Sequence, residues 1–324
     1  MEYRQLGACG LRLSVMGLGS WLTIGHHVDD EVAARQISLC FEQGVNWLDT
    51  ADAYNTGGAE AAFGRLLAGY RRESYVLATK AWAPMSEAPT DRGLSAKHLR
   101  EACEASLRRL GTDYVDLYQC HRPDPLTPIA ETVRAMDDLA RAGKIIYWGV
   151  SEWSGWQIME AVKVAEQLGC RPPVSNQPRY SLLWRRQCEE DTFPCTQHLG
   201  LGNVVFSPLA HGVLTGKYQP GAPPPAESRA ADDSKNSIMR NLYLAEENLR
   251  RAQRVRELAE ELGASAAQLA LRWCLRHPAV TAVILGANKV SHLADNLKAA
   301  DLTVPDEVMT EIDELFALDK PAAP

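Results

Sequence analysis

The stretch Asn46-Trp47-Leu48-Asp49-Thr50-Ala51-Asp52-Ala53-Tyr54 runs an apolar segment into a carboxylate and places a tyrosine five positions later. Two further strand-like runs follow the same plan. Val76-Leu77-Ala78-Thr79 ends at Lys80, and Val115-Asp116-Leu117-Tyr118-Gln119-Cys120 ends at His121. In a barrel of alternating strands and helices, such strand ends open into one shared mouth, where the chemistry collects. A tyrosine phenol titrates near ~10 in water, and a neighbouring ammonium favours the phenolate and lowers that value. A carboxylate beside the ammonium keeps it charged and oriented, and a histidine can orient a carbonyl. Tyr54 would then give a proton to a carbonyl oxygen as hydride reaches the carbon. Asp49, Tyr54, Lys80 and His121 together therefore fit carbonyl reduction.

Outward from these runs the chain alternates. Helical patterns are predicted at about 30–43, 58–68, 95–109, 128–142 and 154–168, and apolar strand runs at about 46–49, 76–79, 115–119, 145–150 and 173–176. Gly44, Gly69, Gly111, Gly143 and Gly169 mark helix ends or the turns after them. Strands at about 15–19, 203–207 and 281–285 bring the count to eight, enough to close a parallel barrel. The expected fold is an α/β (β/α)8 barrel, a single domain over 1–324. An N-terminal hairpin (3–6 with 11–14), a long loop after the seventh barrel strand and C-terminal helices at about 246–262, 265–277 and 306–315 complete it. Ser265 is the expected N-cap of the second of these helices. Gly17 and Gly19 lack the third glycine and acidic partner of a dinucleotide fingerprint, which excludes a Rossmann reading.

The 324 residues carry a net charge of -7, which argues against nucleic acid or an anionic membrane as partner. No apolar run reaches the roughly 18 residues of a spanning helix, and the N-terminus lacks a signal-peptide core. The expected location is the cytoplasm. Eight scattered cysteines form no C-x-x-C pair, and the spacing of Cys188, Cys195 and His198 fits no metal pattern, so no metal is expected.

The words Leu48-Asp49-Thr50-Ala51, Ala78-Thr79-Lys80 and Val115-Asp116-Leu117-Tyr118 surround the four polar residues in a way that resembles the aldo-keto reductases, from about Tyr3 to about Leu315. Arg92-Gly93-Leu94-Ser95, Arg122-Pro123-Asp124-Pro125, Glu131-Thr132-Val133-Arg134-Ala135-Met136 and Tyr147-Trp148-Gly149 resemble the branch that contains the voltage-gated potassium channel β-subunits. The resemblance implies a hairpin closing the barrel bottom and a bound NADP(H), preferred over NAD(H). Ser20, Trp21 and Asp49 would flank the cofactor, with Ser151 and Asn176-Gln177 holding the carboxamide. Tyr180 would stack on the nicotinamide. Ser207, Pro208, Leu209, Lys217 and Arg229 would wrap the pyrophosphate under the loop at about 208–237. Gly286, Asn288 and Lys289 would take the 2′-phosphate at a helix start, with His292, Asp295 and Asn296 at the adenine end.

Trp21, Tyr54, Trp82 and His121, with Trp153, would line an aromatic pocket for a small carbonyl substrate. His26 and His27 either line that cleft or are exposed. Two departures from the resemblance stand out. The channel branch carries Ser-Arg where this chain has Ser151-Glu152, and asparagine where it has His121. The complete set of four favours an active enzyme. The competing readings are a cofactor-binding, redox-sensing regulatory subunit, and a hydrolase using Asp49 and Asp52. The branch forms tetramers, so a homo-oligomer is a further expectation.

Overall fold

The computed structural model describes residues 1–226, 228–231 and 237–317. Eight parallel strands close into a barrel: β3 (Met16–Gly19), β4 (Trp47–Asp49), β5 (Val76–Ala81), β6 (Val115–Cys120), β7 (Ile145–Ser151), β8 (Ser175–Gln177), β9 (Gly202–Val205) and β10 (Val280–Leu285). Each pairs with the next, and β10 returns to β3. The hairpin β1 (Tyr3–Gln5) and β2 (Arg12–Ser14) pairs antiparallel ahead of the barrel. Helices Asp30–Glu42, Gly58–Leu67, Ala96–Leu110, Ile129–Arg141 and Gly155–Leu168 lie within a residue or so of their predicted limits. So do Glu246–Glu261, Ala266–Arg276 and Asp306–Leu315. Among the described residues no helix is long and apolar enough to cross a membrane.

Strand parity separates two cores. Alternate residues of each strand face opposite sides of the wall. The inner set forms its own cluster of Trp47, Val76, Ala78, Leu117, Val204 and Ala282, closed from below by Leu6 and Leu13 of the hairpin segment. Trp47 is fully buried there, and its indole N–H donates to Ser14 O at 2.9 Å. A Cβ on Gly17 would come within 2.1 Å of the Trp47 ring. Gly17 is therefore glycine so that one large side chain can occupy the barrel. The outer set packs under the helices in the larger core.

Helix ends follow local chemistry. Asp29 caps the first helix by accepting from Val32 N–H at 2.8 Å. Ser154 with Gln157 and Ser265 with Gln268 form capping boxes. Gly44, Gly111, Gly143 and Gly169 adopt positive φ after their helices, whereas Gly69 does not.

The long segment after β9 contains more structure than its composition predicts. Short 3-10 turns span Ala210–Thr215 and Arg229–Ala231, and a helix spans Ser237–Leu242. Residues 227 and 232–236 of the predicted loop lie outside the described residues. A π-turn at Cys188–Thr192 leading into helix Phe193–Leu199 was not anticipated from the sequence.

Candidate active site

Parity also builds the site. Asp49, Lys80 and Gln119 continue the inward faces that begin at Trp47, Ala78 and Leu117, so they cap the apolar interior at the C-terminal end of the barrel. Lys80 is fully buried. Its ammonium donates to Asp49 Oδ2 at 2.6 Å, Thr50 O at 2.8 Å and the Tyr54 hydroxyl at 3.2 Å. The other carboxylate oxygen of Asp49 accepts from Gln177 Nε2 at 2.9 Å and Gln119 Nε2 at 3.5 Å. Side chains from four strands thus fix one carboxylate and one ammonium.

Tyr54 stands half-buried in the loop after β4. The His121 ring meets it edge-on, with centroids 5.6 Å apart. Burial works against the Lys80 charge, but Asp49 and Tyr54 outweigh it and hold the ammonium above its ordinary value. Burial drives the His121 imidazole well below its usual range, and Lys80 and Arg122 add to this, so the ring is neutral at neutral pH. His121 Nδ1 is buried without a partner among the described residues. The expected lowering of the Tyr54 phenol is not the net result. Lys80 does pull it down, but burial, the larger effect, leaves it above its ordinary value.

The cofactor-side residues divide. Ser20 is buried and donates to Thr50 Oγ1 at 2.9 Å. Ser151 donates to Gln177 O at 2.8 Å and accepts from Arg122 at 3.5 Å. The amide nitrogen of Gln177 is committed to Asp49. Asn176 has the opposite parity and is buried in the outer wall, so it does not share the mouth with Gln177.

Tyr180 is a clear correction. It is fully buried on the outer side of the wall, stacked on Trp273 at 5.2 Å and edge-on to Phe193, with its hydroxyl donating to Glu189 at 2.7 Å. Odd-numbered Gln177 faces in, so Tyr180 faces the helices and cannot stack on a ring in the mouth. Asp295 is half-buried and accepts from Ser265 Oγ and from Gln268 Nε2, both at 2.7 Å, tying the last turn of helix Val290–Leu297 to the start of helix Ala266–Arg276. Trp153 is buried in the loop after β7. Trp82 is half-buried just past β5.

The segment from Ser207 to Gly216 is bent tightly. Ser207, Ala210 and His211 take φ of 55°, 46° and 57°, a region that side chains rarely adopt. Such strain concentrates at functional sites, and turned backbone of this kind presents N–H groups to anions. Pro208 is buried and Leu209 half-buried within it. His211 Nδ1 lies 3.1 Å from Arg229 Nη1. A guanidinium can only donate, so Nδ1 accepts. Burial and the Arg229 charge push His211 down to about 3, which keeps it neutral. Arg229 also lies 5.9 Å from the Trp21 ring, and Trp21 meets His211 edge-on at 5.3 Å. Lys217, at the rim, pairs with no carboxylate among the described residues; desolvation and then Arg229 push its ammonium down.

Gly286, Asn288 and Lys289 are exposed after β10, with Lys289 at the N-cap of helix Val290–Leu297. His292 is exposed and Asn296 buried on that helix.

Several mouth residues escaped the sequence reading. Gln119 precedes His121 by two and shares its face, a signal that parity alone carries. Phe206, directly before Ser207, and Arg179, two residues past Gln177, are paired across a β-bridge. The Arg179 guanidinium lies 5.6 Å from the Phe206 ring and 4.9 Å from the Trp184 ring. The backbone N–H of Arg179 donates to Glu152 Oε1 at 2.6 Å, which turns the unexpected carboxylate to a structural task. His211 and Tyr243 meet with ring centroids 5.5 Å apart from distant parts of one loop, and no local pattern announces that. A cavity of about 150 Å³ borders Tyr54 and is lined by Ser20, Trp21, Leu22, His26 and Asn55 among others. A larger one, about 290 Å³, lies under residues 218–230 and away from Tyr54.

A closed parallel barrel with a buried Asp–Lys pair and a tyrosine at its C-terminal mouth is the architecture of a barrel oxidoreductase. The chain belongs to the aldo/keto reductase family, whose model matches residues 15–317. It is 42% identical over 305 residues to a protein of Oryza sativa subsp. japonica named a probable voltage-gated potassium channel subunit beta, covering 93% of this chain and 92% of the relative. A protein of the same name from Arabidopsis thaliana matches to the same extent.

Proposed function

We propose that the protein is an NADP(H)-dependent reductase of aldehydes or ketones, reversible with NADP⁺. The observation that carries this reading is the buried chain Asp49–Lys80–Tyr54 facing a neutral His121. The cofactor supplies hydride when bound. Ser151 and Gln177 would hold its carboxamide, and Phe206 would supply the aromatic wall in place of Tyr180. The turned backbone at 207–212, with Lys217 and Arg229, would hold the pyrophosphate, and Lys289 at its helix start the 2′-phosphate. Trp21 and Trp82 would wall the substrate side. His121, being neutral, can donate a hydrogen bond to a carbonyl oxygen. Tyr54 then delivers the proton, and Lys80, held charged by Asp49, stabilises the phenolate left behind.

Replacing Tyr54 by Phe tests the assignment. Turnover of a panel of aldehydes and ketones, followed by NADPH consumption, should fall about 10²–10⁴-fold. NADPH affinity, measured by fluorescence quenching, should stay within about twofold. Equal turnover in the variant would remove Tyr54 from the mechanism.

A second reading has its own support in the relatives named channel subunits. On that reading the chain is a cofactor-binding regulatory subunit whose slow turnover reports redox state to a partner. Tight NADPH binding without steady turnover on any carbonyl would favour it.

A further inference from the structure

Across the barrel wall from Lys80 lies a second ionisable group that the proposed mechanism does not use. Thr79 and Tyr118 face outward because Lys80 and Gln119 face inward. With them sit Asp52 from the loop before Tyr54, Glu60 of helix Gly58–Leu67 and Arg109 of helix Ala96–Leu110. Glu60 is fully buried and well partnered: Arg109 Nη2 lies at 2.6 Å, and the Thr79 hydroxyl donates to its other oxygen. Asp52 is equally buried. Its Oδ1 accepts from Ala53 N–H at 2.6 Å, whereas Oδ2 has no partner among the described residues.

Arg109 is therefore bonded to Glu60, while Asp52 is buried with one oxygen unpartnered among the described residues. The remaining charges and titratable groups that face them are Lys80 from β5, Tyr118 from β6 and Cys103 from the Arg109 helix. Tyr118 and Cys103 are both raised, chiefly by burial, and are uncharged at neutral pH. Burial, and then the charge of Glu60, push the Asp52 carboxyl up to about 8.

These two carboxylates bracket the segment that carries Tyr54. Asp52 N–H donates to Lys80 O at 3.1 Å, Tyr54 N–H to Ala51 O at 3.2 Å, and Ala59 N–H to Tyr54 O at 3.2 Å. Between them Asn55, Thr56 and Gly57 all take positive φ, two of them without the freedom of glycine. A loop bent this tightly depends on its two ends for its shape.

We propose that Asp52 is a positioning residue. In its protonated form it packs beside Glu60 and holds the loop that presents Tyr54 to Lys80. Loss of that proton leaves a buried anion with an unpartnered oxygen in the field of Glu60, and displaces the loop. This rests on Tyr54 being the proton donor, but it adds a control that lies outside the mouth. The alkaline limit on carbonyl reduction is then set by Asp52, well below the range where Tyr54 itself ionises.

Asp52→Asn tests it, since an amide mimics the protonated acid and keeps the Oδ1 acceptor. Wild-type kcat should fall as pH rises through about 8. In the variant that limb should move up by at least about one pH unit, a tenfold change in proton concentration, with KM little changed. Loop position is read apart from turnover by the ring 13C signals of labelled tyrosine, with Tyr54 assigned through Tyr54→Phe. The Tyr54 signal should move through the same pH range in the wild type and stay fixed in Asp52→Asn.

Stability supplies a third reading. The folded value lies above the unfolded value of 3.8, so the contribution is full below that pH and is lost as pH rises through about 8. The melting temperature of Asp52→Asn relative to wild type should therefore climb between about pH 4 and about pH 8 and then level. An unchanged alkaline limb in the variant, a Tyr54 signal that moves equally in both proteins, or a constant difference in melting temperature overturns the proposal. A protein without turnover at any pH, but with a Tyr54 signal governed by Asp52, supports the positioning role and overturns the reductase reading instead.

Discussion

The inner ring of the barrel mouth and the segment from Ser207 to Tyr243 are built on opposite principles. In the ring, Asp49, Lys80, Gln119 and Gln177 come from four strands and satisfy one another at 2.6–3.5 Å. The backbone that carries them is regular, so strand register alone sets the geometry. In the segment the backbone leaves the ordinary regions at Ser207, Ala210 and His211. Arg229 and Lys217 meet aromatic rings and a neutral histidine, and neither pairs with a carboxylate among the described residues. The comparison separates two tasks. A paired, buried charge suits controlled proton transfer, whereas partly buried cations without carboxylate partners suit the capture of an anion.

The largest effect should come from breaking the ring. Lys80→Met leaves Asp49 charged, buried and unpaired, which should cost about 3–5 kcal/mol in a urea unfolding titration. Turnover should fall at least as far as in Tyr54→Phe. A variant of near wild-type stability would mean that the ring is not the rigid element described above. A change in the segment should act on binding alone. Arg229→Gln should weaken NADPH by about 10- to 100-fold, the range expected for hydrogen bonds to a charged group. The folded state should melt within a few degrees of wild type. Loss of kcat with unchanged NADPH affinity would move Arg229 from the segment's task to the ring's.

The smallest effect should come from Tyr180→Phe. It removes one hydrogen bond to Glu189, which retains its contacts to Arg185 at 2.9 Å. The expected loss is about 1 kcal/mol of stability, with NADPH affinity and turnover unchanged. A loss of affinity would return Tyr180 to the cofactor side against its position in the wall.

The barrel was legible because its signals are local and repeated. Each apolar run is short, most of the barrel helices carry a cap or a terminal glycine, and the two periods alternate along the chain. Asp49, Lys80 and His121 were legible for the same reason, being polar residues at the ends of apolar runs. Tyr180 was misplaced because position along the chain does not state which face a residue takes. A shift of one residue moves a side chain from the mouth to the outer wall. The π-turn at Cys188–Thr192 and the helix Ser237–Leu242 sit in polar, irregular composition, where the decisive contacts are tertiary.

The sequence by itself determined the order of elements, the closing of eight strands and the types of side chain delivered to the C-terminal mouth. Those depend on periodicity and on chemistry within a few residues. Only the tertiary structure decided that Gln119 and Gln177 hold Asp49, that Glu152 serves the backbone of Arg179, and that Arg109 and Thr79 hold Glu60. Each of these joins residues from different strands or helices across a buried space. There a missing partner is costly and water cannot substitute, so the packing of the whole barrel determines which polar groups meet.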